Sequence, residues 1–214
     1  MFVEHFAAFL VAITILTLTP GLDTALVIRN TTRGGFKDGF VSSLGICSGL
    51  FVHATFSAIG ISAILMQSAE LFHAVKWVGA IYLIWLGVNS LRATLANRGS
   101  VSVNSNQSES VGITRAFREG FLSNVLNPKT AVFYLAFLPQ FIDPQGSVVI
   151  QYLFMASIHF IIAMIWQCSL AAALGYATQL LKSSNFMRWM EGTTGVILVS
   201  LGVALIAKEP PHSL

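Results

Sequence analysis

Two ionisable side chains, Asp23 and Lys129, lie in or at the end of long apolar stretches of this sequence, each at a proline-containing break. The breaks are Thr19-Pro20-Gly21 and Asn127-Pro128-Lys129. A charge in the middle of a bilayer costs about 2.5 to 3.5 kcal/mol, so such residues normally face protein or water and take part in a transport pathway. The pairing of break and charge therefore indicates a functional site.

The chemistry available at two broken helices suits a zwitterion. A proline leaves the carbonyl four residues earlier without its helical donor, which frees the carbonyls of Leu16 and Asn124. A half-helix N-terminus offers free N–H groups to a carboxylate, whereas free carbonyls and an acid can receive an ammonium. The candidate residues for substrate binding or transport are Pro20, Gly21, Asp23, Asn124, Asn127, Pro128 and Lys129.

The depth of the two charges leaves an alternative open for Asp23. A straight helix from Phe6, rising about 1.5 Å per residue, would carry Asp23 close to the cytoplasmic boundary, where it could be a solvated helix end. Lys129 would lie about 12 Å in from Phe121. A direct contact between Asp23 and Lys129 therefore requires at least one helix to depart from straightness.

Three side chains are candidate proton carriers: Asp23, His53 and His159. A histidine changes its charge with small changes of environment near neutral pH. The structural alternative is that each histidine only forms a hydrogen bond to a neighbouring helix.

The elements that must position these residues are six apolar stretches. The 214 residues are 55% hydrophobic and 10% charged, whereas about a quarter of a soluble domain is charged. Each stretch has roughly the 20 residues that cross a bilayer as a helix, and none alternates like a barrel strand. The sequence predicts one all-α membrane domain over 1–214, with spans at about 6–28, 39–66, 71–91, 121–142, 147–181 and 190–207.

Charge placement predicts the orientation. Nine of the 12 Lys and Arg residues follow spans one, three and five, and cytoplasmic loops carry such an excess. Both termini are then outside the cytoplasm. If the interrupted fourth span were re-entrant, only five spans would cross the membrane and the C-terminus would lie on the opposite side from the N-terminus. A polar cytoplasmic linker, 93–113, separates three spans from three, which is compatible with a 3+3 inverted repeat.

Other functional classes receive little support. An intramembrane hydrolase would need Ser48 with His159 or His53, but Ile46 stands where a nucleophile motif has glycine. There is no His-Glu-x-x-His signature and no phosphate loop, and no metal or cofactor is expected. The positive charge follows the membrane, so no nucleic-acid partner is predicted. The spans also lack the ligand clusters that a metal-ion exporter would need.

Four motifs resemble the LysE/RhtB amino-acid exporters, in the branch of homoserine/threonine and leucine efflux proteins. In chain order, they are Thr19-Pro-Gly-Leu-Asp23, Gly45-x-x-x-Gly49-x-x-x-His53, Gly79-Ala-x-Tyr-Leu-Ile-Trp-Leu-Gly87, and Phe121-x-x-Asn-x-x-Asn-Pro-Lys129 continuing to Phe137-Leu-Pro-Gln-Phe141. Members commonly have Pro where this chain has Leu22. They often have Asp where this chain has Leu50. The loss of that acid favours neutral over cationic substrates.

The resemblance implies a bacterial-type inner (plasma) membrane protein, with no enzymatic activity, that exports a small amino acid in exchange for protons. Homoserine, threonine and branched-chain amino acids are the favoured substrates, and another small solute is the alternative. Its partners would be the amino acid, protons, the lipid bilayer and further copies of itself in a homo-oligomer. By this hypothesis Lys129 and the second break hold the carboxylate, Asp23 and the first break receive the ammonium, and Asp23 or a histidine exchanges the proton.

Overall fold

The computed structural model describes residues 6–19, 21–67, 69–95, 112–143, 145–173 and 184–207, and all regular structure within them is helical. The helices are α1 (Phe6–Leu18), α2 (Leu22–Gln67), α3 (Ala69–Leu95), α4 (Ile113–Val125), α5 (Pro128–Val132), α6 (Val148–Ala172) and α7 (Ser184–Ala207). A π-helical turn (Phe133–Phe137) and a 3₁₀ turn (Leu138–Phe141) follow α5. The predicted all-α class is confirmed.

Several of these helices have the length and composition of membrane spans. Three stretches qualify by length and apolarity: Leu22–Ala63, His73–Arg92 and Val148–Ala172. Phe6–Leu18 and Gly192–Ala207 are shorter apolar helices. The chain is thus a helical membrane protein, and the total of six spans stays a prediction.

The first predicted span is interrupted where the sequence indicated. α1 ends at Leu18 and α2 begins at Leu22. α2 contains a second break at Gly35, which has φ 74° and ψ −170°, a conformation that glycine adopts at little cost. Predicted span one is therefore α1 with the first part of α2, and span two is the part after Gly35. The charged segment between them is helical except at Gly35.

The fourth predicted span is also broken. α4 begins at Ile113, before the predicted start at 121, and ends at Val125. The Asn127 side chain accepts a hydrogen bond from the backbone N–H of Lys129 at 3.0 Å and so caps α5. Pro128 occupies the first turn of α5, where its missing N–H costs nothing. The chain then stays helical to Phe141.

The last two helices differ from their predicted bounds. α6 ends at Ala172, with Ala173 in a turn, although hydrophobicity alone extended the fifth span to 181; residues 174–183 lie outside the described ranges. α7 begins at Ser184 rather than 190. Of the predicted linker, 96–111 lie outside the described residues.

Glycines allow two pairs of helices to pack at close range. A Cβ at Gly45 of α2 would collide with the carbonyl oxygen of Phe117 in α4. A Cβ at Gly195 of α7 would lie 2.7 Å from the carbonyl oxygen of Gly87 in α3. These glycines therefore serve close helix packing, as small residues do in membranes.

α6 runs parallel to α1 and the first part of α2. The Phe6 and Phe154 rings lie 6.4 Å apart between their centroids, and further along both segments Val27 and Ala171 belong to one buried cluster with Ile46. Both contacts follow the same order along the two segments. Gln167 lies one turn before Ala171 and Asp23 lies one turn before Val27, so the two residues are at a similar level.

Candidate functional site

A cavity lies between the two helix breaks and α6. The space between these elements, counting its open mouth, is about 440 Å³. Asp23 and Lys129 both line it. The remaining lining residues are Leu16, Thr17, Thr19, Gly21, Thr24, Ile46, Leu50, Asn124, Asn127, Thr130, His159, Ala163 and Gln167.

Asp23 is held by three donors from the second break. Its carboxylate accepts hydrogen bonds from Ser123 Oγ at 2.8 Å, Asn124 Nδ2 at 2.9 Å and Asn127 Nδ2 at 3.2 Å. The side chain is partly buried. Asp23 is therefore not a solvated helix end: it fastens the start of α2 to the junction between α4 and α5.

Lys129 points from the second break towards the first. Its Nζ donates a hydrogen bond to the carbonyl oxygen of Thr19 at 3.2 Å, just past the end of α1. A Cβ at Gly21 would lie 3.3 Å from the same Nζ, so glycine leaves room for the ammonium there. Asp23 and Lys129 do not form an ion pair among the described residues. They face one cavity with opposite charges.

The two histidines occupy different places. His159 lines the cavity and its Nδ1 lies 3.1 Å from Tyr134 Oη. His53 does not line the cavity; its Nε2 lies 2.9 Å from the carbonyl oxygen of Asn124, one of the two carbonyls expected to be freed by proline. The Tyr134 ring lies between them, 5.9 Å from each histidine ring by centroid distance. A proton-carrying role stays a prediction for both.

The alternatives weighed from the sequence gain no geometric support. The Ser48 hydroxyl donates to the carbonyl oxygen of Leu44 at 2.7 Å in its own helix, and neither histidine contact described above involves it. Within the described ranges no three His, Cys, Asp or Glu residues are arranged to hold a metal ion.

Sequence reasoning placed some site residues and missed others. Gly21, Asp23, Asn124, Asn127 and Lys129 line the cavity as a group. Pro128 is exposed beside it, and Pro20 lies outside the described residues.

The missed residues are mainly Thr19, Ser123 and Gln167. Gln167 is an amide within an apolar run, a signal that was available because polar side chains within spans are often functional.

A network of charged side chains lies at the ends of predicted spans one and four, which the charge bias of the loops assigns to the cytoplasmic side. Glu119 of α4 forms ion pairs with Arg29 and Arg115 and accepts a hydrogen bond from Asn30. Burial raises the pKa of Glu119, but the hydrogen bonds from Arg115 and Asn30 and the charges of Arg29 and Arg115 outweigh it and hold the pKa below its usual value. The network joins the first part of α2 to α4 outside the predicted spans.

Comparison with known proteins finds bacterial proteins of similar sequence. A Bacillus subtilis membrane protein named YrhP, described as uncharacterized, is 36% identical over 88% of this chain and 91% of its own length. A homoserine/homoserine lactone efflux protein of Salmonella typhi is 29% identical, covering 94% of this chain and 96% of its own. A leucine efflux protein of Salmonella choleraesuis is 29% identical over 67% of this chain and 68% of its own. No solved structure matches significantly.

The family model of LysE type translocators matches residues 14–209, which is most of the chain and includes both helix breaks. This result excludes the enzyme alternative, since the family consists of translocators. The chain belongs to the LysE type translocator family.

Proposed function

We propose that this protein is a secondary active exporter that moves a small neutral amino acid out of the cytoplasm while protons enter. The observation that carries the proposal is the cavity with Asp23 on one helix break and Lys129 on the other. An amino acid carries a carboxylate and an ammonium on neighbouring carbons, so two opposite charges facing one small cavity suit it.

Each end of the substrate has its own partner. Lys129 binds the substrate carboxylate, and its present acceptor, the neutral Thr19 carbonyl, is weaker than a carboxylate would be. Asp23 binds the ammonium, and its three donors hold the carboxylate at the cavity wall. The breaks keep both groups within one cavity although they belong to different helices.

The lining of the cavity favours a neutral side chain. Leu50, at the position where the family often has Asp, contributes apolar surface to the wall together with Leu16 and Ile46. Among the described residues Asp23 is the one carboxylate that lines the cavity, so a cationic side chain would lack a second counter-charge from them. Homoserine, threonine and branched-chain amino acids fit this lining, and relatives are named for efflux of homoserine and leucine.

The packing supports alternating access by two inverted halves of three spans each. In such an arrangement each helix of the first half has a counterpart in the second. The broken α1–α2 segment corresponds to the broken α4–α5 segment, and α3 packs along its counterpart α7. With six spans and the charge bias of the loops, both termini lie outside the cytoplasm.

Proton entry supplies the driving force. Exporting a neutral zwitterion while one proton enters moves one charge inward, which yields about 2.3 kcal/mol per 100 mV of membrane potential. In this scheme Asp23 binds the substrate ammonium and the entering proton in turn, so the substrate leaves as a zwitterion and Asp23 then carries the proton inward. His159 and His53 are the alternative carriers. The Tyr134 hydroxyl next to His159 gives that histidine a partner for proton transfer.

The test is efflux of a panel of labelled amino acids from cells that express the wild type, Lys129→Ala or Lys37→Ala. Lys37 is exposed and outside the cavity, so it controls for the loss of a lysine. We expect the wild type and Lys37→Ala to release one or a few neutral amino acids faster than cells without the protein. Lys129→Ala and a protonophore should abolish that excess at equal membrane abundance.

Two results would contradict the proposal. If no amino acid leaves faster with the wild type, export of another small solute becomes the better account. If Lys129→Ala exports as fast as Lys37→Ala, the cavity does not bind the substrate as described.

A further inference from the structure

Gln167 is a polar side chain of the cavity that the roles given above leave unused. It lies on the face of α6 that also carries Ala163 and His159, and only 6% of its surface is exposed. Its Oε1 is buried and has no hydrogen-bond partner among the described residues. A buried amide oxygen without a donor costs about 1 to 3 kcal/mol, so an unused one at a binding cavity indicates a missing partner.

The position of Gln167 along α6 tells which end of the cavity it serves. Ala171, one turn further on, belongs to one buried cluster with Val27 and Ile46. Because α6 runs parallel to the first part of α2, Gln167 lies at the level of Asp23, one turn before Val27. Lys129 meets Thr19, four residues before Asp23.

Hydrogen-bond capacity at Asp23 leaves a need that Gln167 can meet. A carboxylate has about four lone-pair sites, and Ser123, Asn124 and Asn127 already use three. An ammonium has three N–H donors, so Asp23 can accept about one of them. The other two require further acceptors at the same level of the cavity.

We propose that Gln167 is a substrate-binding residue whose Oε1 accepts a hydrogen bond from the substrate ammonium beside Asp23. This inference rests on the proposed function, because it needs an amino acid in the cavity. The carboxamide makes no hydrogen bond to another described residue, so it is free to rotate and present its oxygen. Since the ammonium is common to all amino acids, Gln167 fixes the substrate class and not the side chain.

The experiment uses the full-length protein in proteoliposomes and measures the half-saturation concentrations of L-leucine and L-homoserine efflux. Gln167→Met keeps a side chain of similar length without an acceptor, and Gln167→Glu keeps an acceptor. Ser169→Ala, at an exposed position of α6, is the matched control. A hydrogen bond to a charged donor corresponds to a change of about tenfold or more.

We expect Gln167→Met to raise the half-saturation concentration about tenfold, by the same factor for both amino acids, with little change in maximal rate. Gln167→Glu should recover most of the affinity, which a purely structural role would not allow. Ser169→Ala should match the wild type.

Three outcomes would overturn the inference. If Gln167→Met affects only homoserine, Gln167 binds the side-chain hydroxyl instead. If Gln167→Met behaves like the wild type while the wild type exports amino acids, Gln167 does not bind substrate and the proposed function stands. If the wild type exports no amino acid, the proposed function fails and the inference fails with it.

Discussion

Replacement of Asp23 by Asn is the sharpest perturbation of the proposed substrate site. The change keeps the size of the side chain but removes its charge and turns one acceptor oxygen into a donor. The amide nitrogens of Asn124 and Asn127 both donate to the same oxygen, Oδ2. If the new NH₂ group takes the place of Oδ2, it faces two N–H donors. If it takes the place of Oδ1, it faces the Ser123 hydroxyl.

The magnitude follows from the loss of a buried charge partner. Removing one member of a buried, hydrogen-bonded charge pair costs about 2 to 5 kcal/mol, or about 30-fold to 5,000-fold in affinity. Ser123→Ala removes one donor and leaves the charge in place, so its effect should be nearer 1 kcal/mol, about fivefold. The two variants should therefore form a graded series.

The assay is the half-saturation concentration of L-leucine and L-homoserine efflux from proteoliposomes with equal amounts of reconstituted protein. Glu70→Gln is the control for loss of a carboxylate, because Glu70 is exposed in the first turn of α3, away from the cavity. We expect the half-saturation concentration to be lowest for the wild type and Glu70→Gln, higher for Ser123→Ala and highest for Asp23→Asn. A half-saturation concentration for Asp23→Asn within about threefold of the wild type would refute the role of Asp23 in binding the ammonium.

Three further predictions concern packing, charge and topology. Gly45→Val should lower membrane abundance and thermal stability, because a Cβ there collides with the α4 backbone, whereas Gly60→Ala should not, since a Cβ at Gly60 meets nothing within 4 Å. Glu119 has a pKa below its usual 4.5, so its charge stabilises the folded state above pH 4.5; the stability advantage of the wild type over Glu119→Gln should fall as the pH falls below 4.5. In a cysteine-free background, Lys37→Cys should react with an impermeant thiol reagent from the cytoplasmic side and Gln145→Cys from the outside.

Each of these predictions has a contrary result. Normal abundance of Gly45→Val would contradict the close approach of α2 and α4. A stability difference for Glu119→Gln that is constant down to pH 3 would mean that the carboxylate charge does not support the fold. Labelling of Lys37→Cys and Gln145→Cys from the same side would contradict the predicted orientation.

Much of the fold follows from the sequence because bilayer physics is restrictive. Apolar stretches of sufficient length predict helices, and the prolines at 20 and 128 predict where two of them are interrupted. The bounds of the helices were less predictable. α4 begins at Ile113, before the apolar stretch that starts at 121, and no apolar pattern indicates that the charged segment around Gly35 is helical.

The charged members of the site were also accessible to sequence reasoning. Asp23 and Lys129 are conspicuous because charges are rare in apolar helices. The straight-helix estimate left a solvated helix end open for Asp23, whereas its carboxylate accepts three hydrogen bonds from residues at the second break. Among the uncharged polar residues, Asn124 and Asn127 were identifiable because they belong to the second break. Gln167 gave a signal as an amide within an apolar run, but its place in the cavity depends on the packing of α6 against α2.

The central claim is that an amino acid crosses the membrane through the cavity of Asp23 and Lys129 in exchange for protons. The most direct test is the purified protein in proteoliposomes loaded with labelled L-leucine and L-homoserine, with and without an inwardly directed proton gradient. We predict that the gradient accelerates release of at least one of them, that protons enter as it leaves, and that Lys129→Ala abolishes both fluxes. Release that is the same with and without the gradient, and the same for the wild type and Lys129→Ala, would contradict the account.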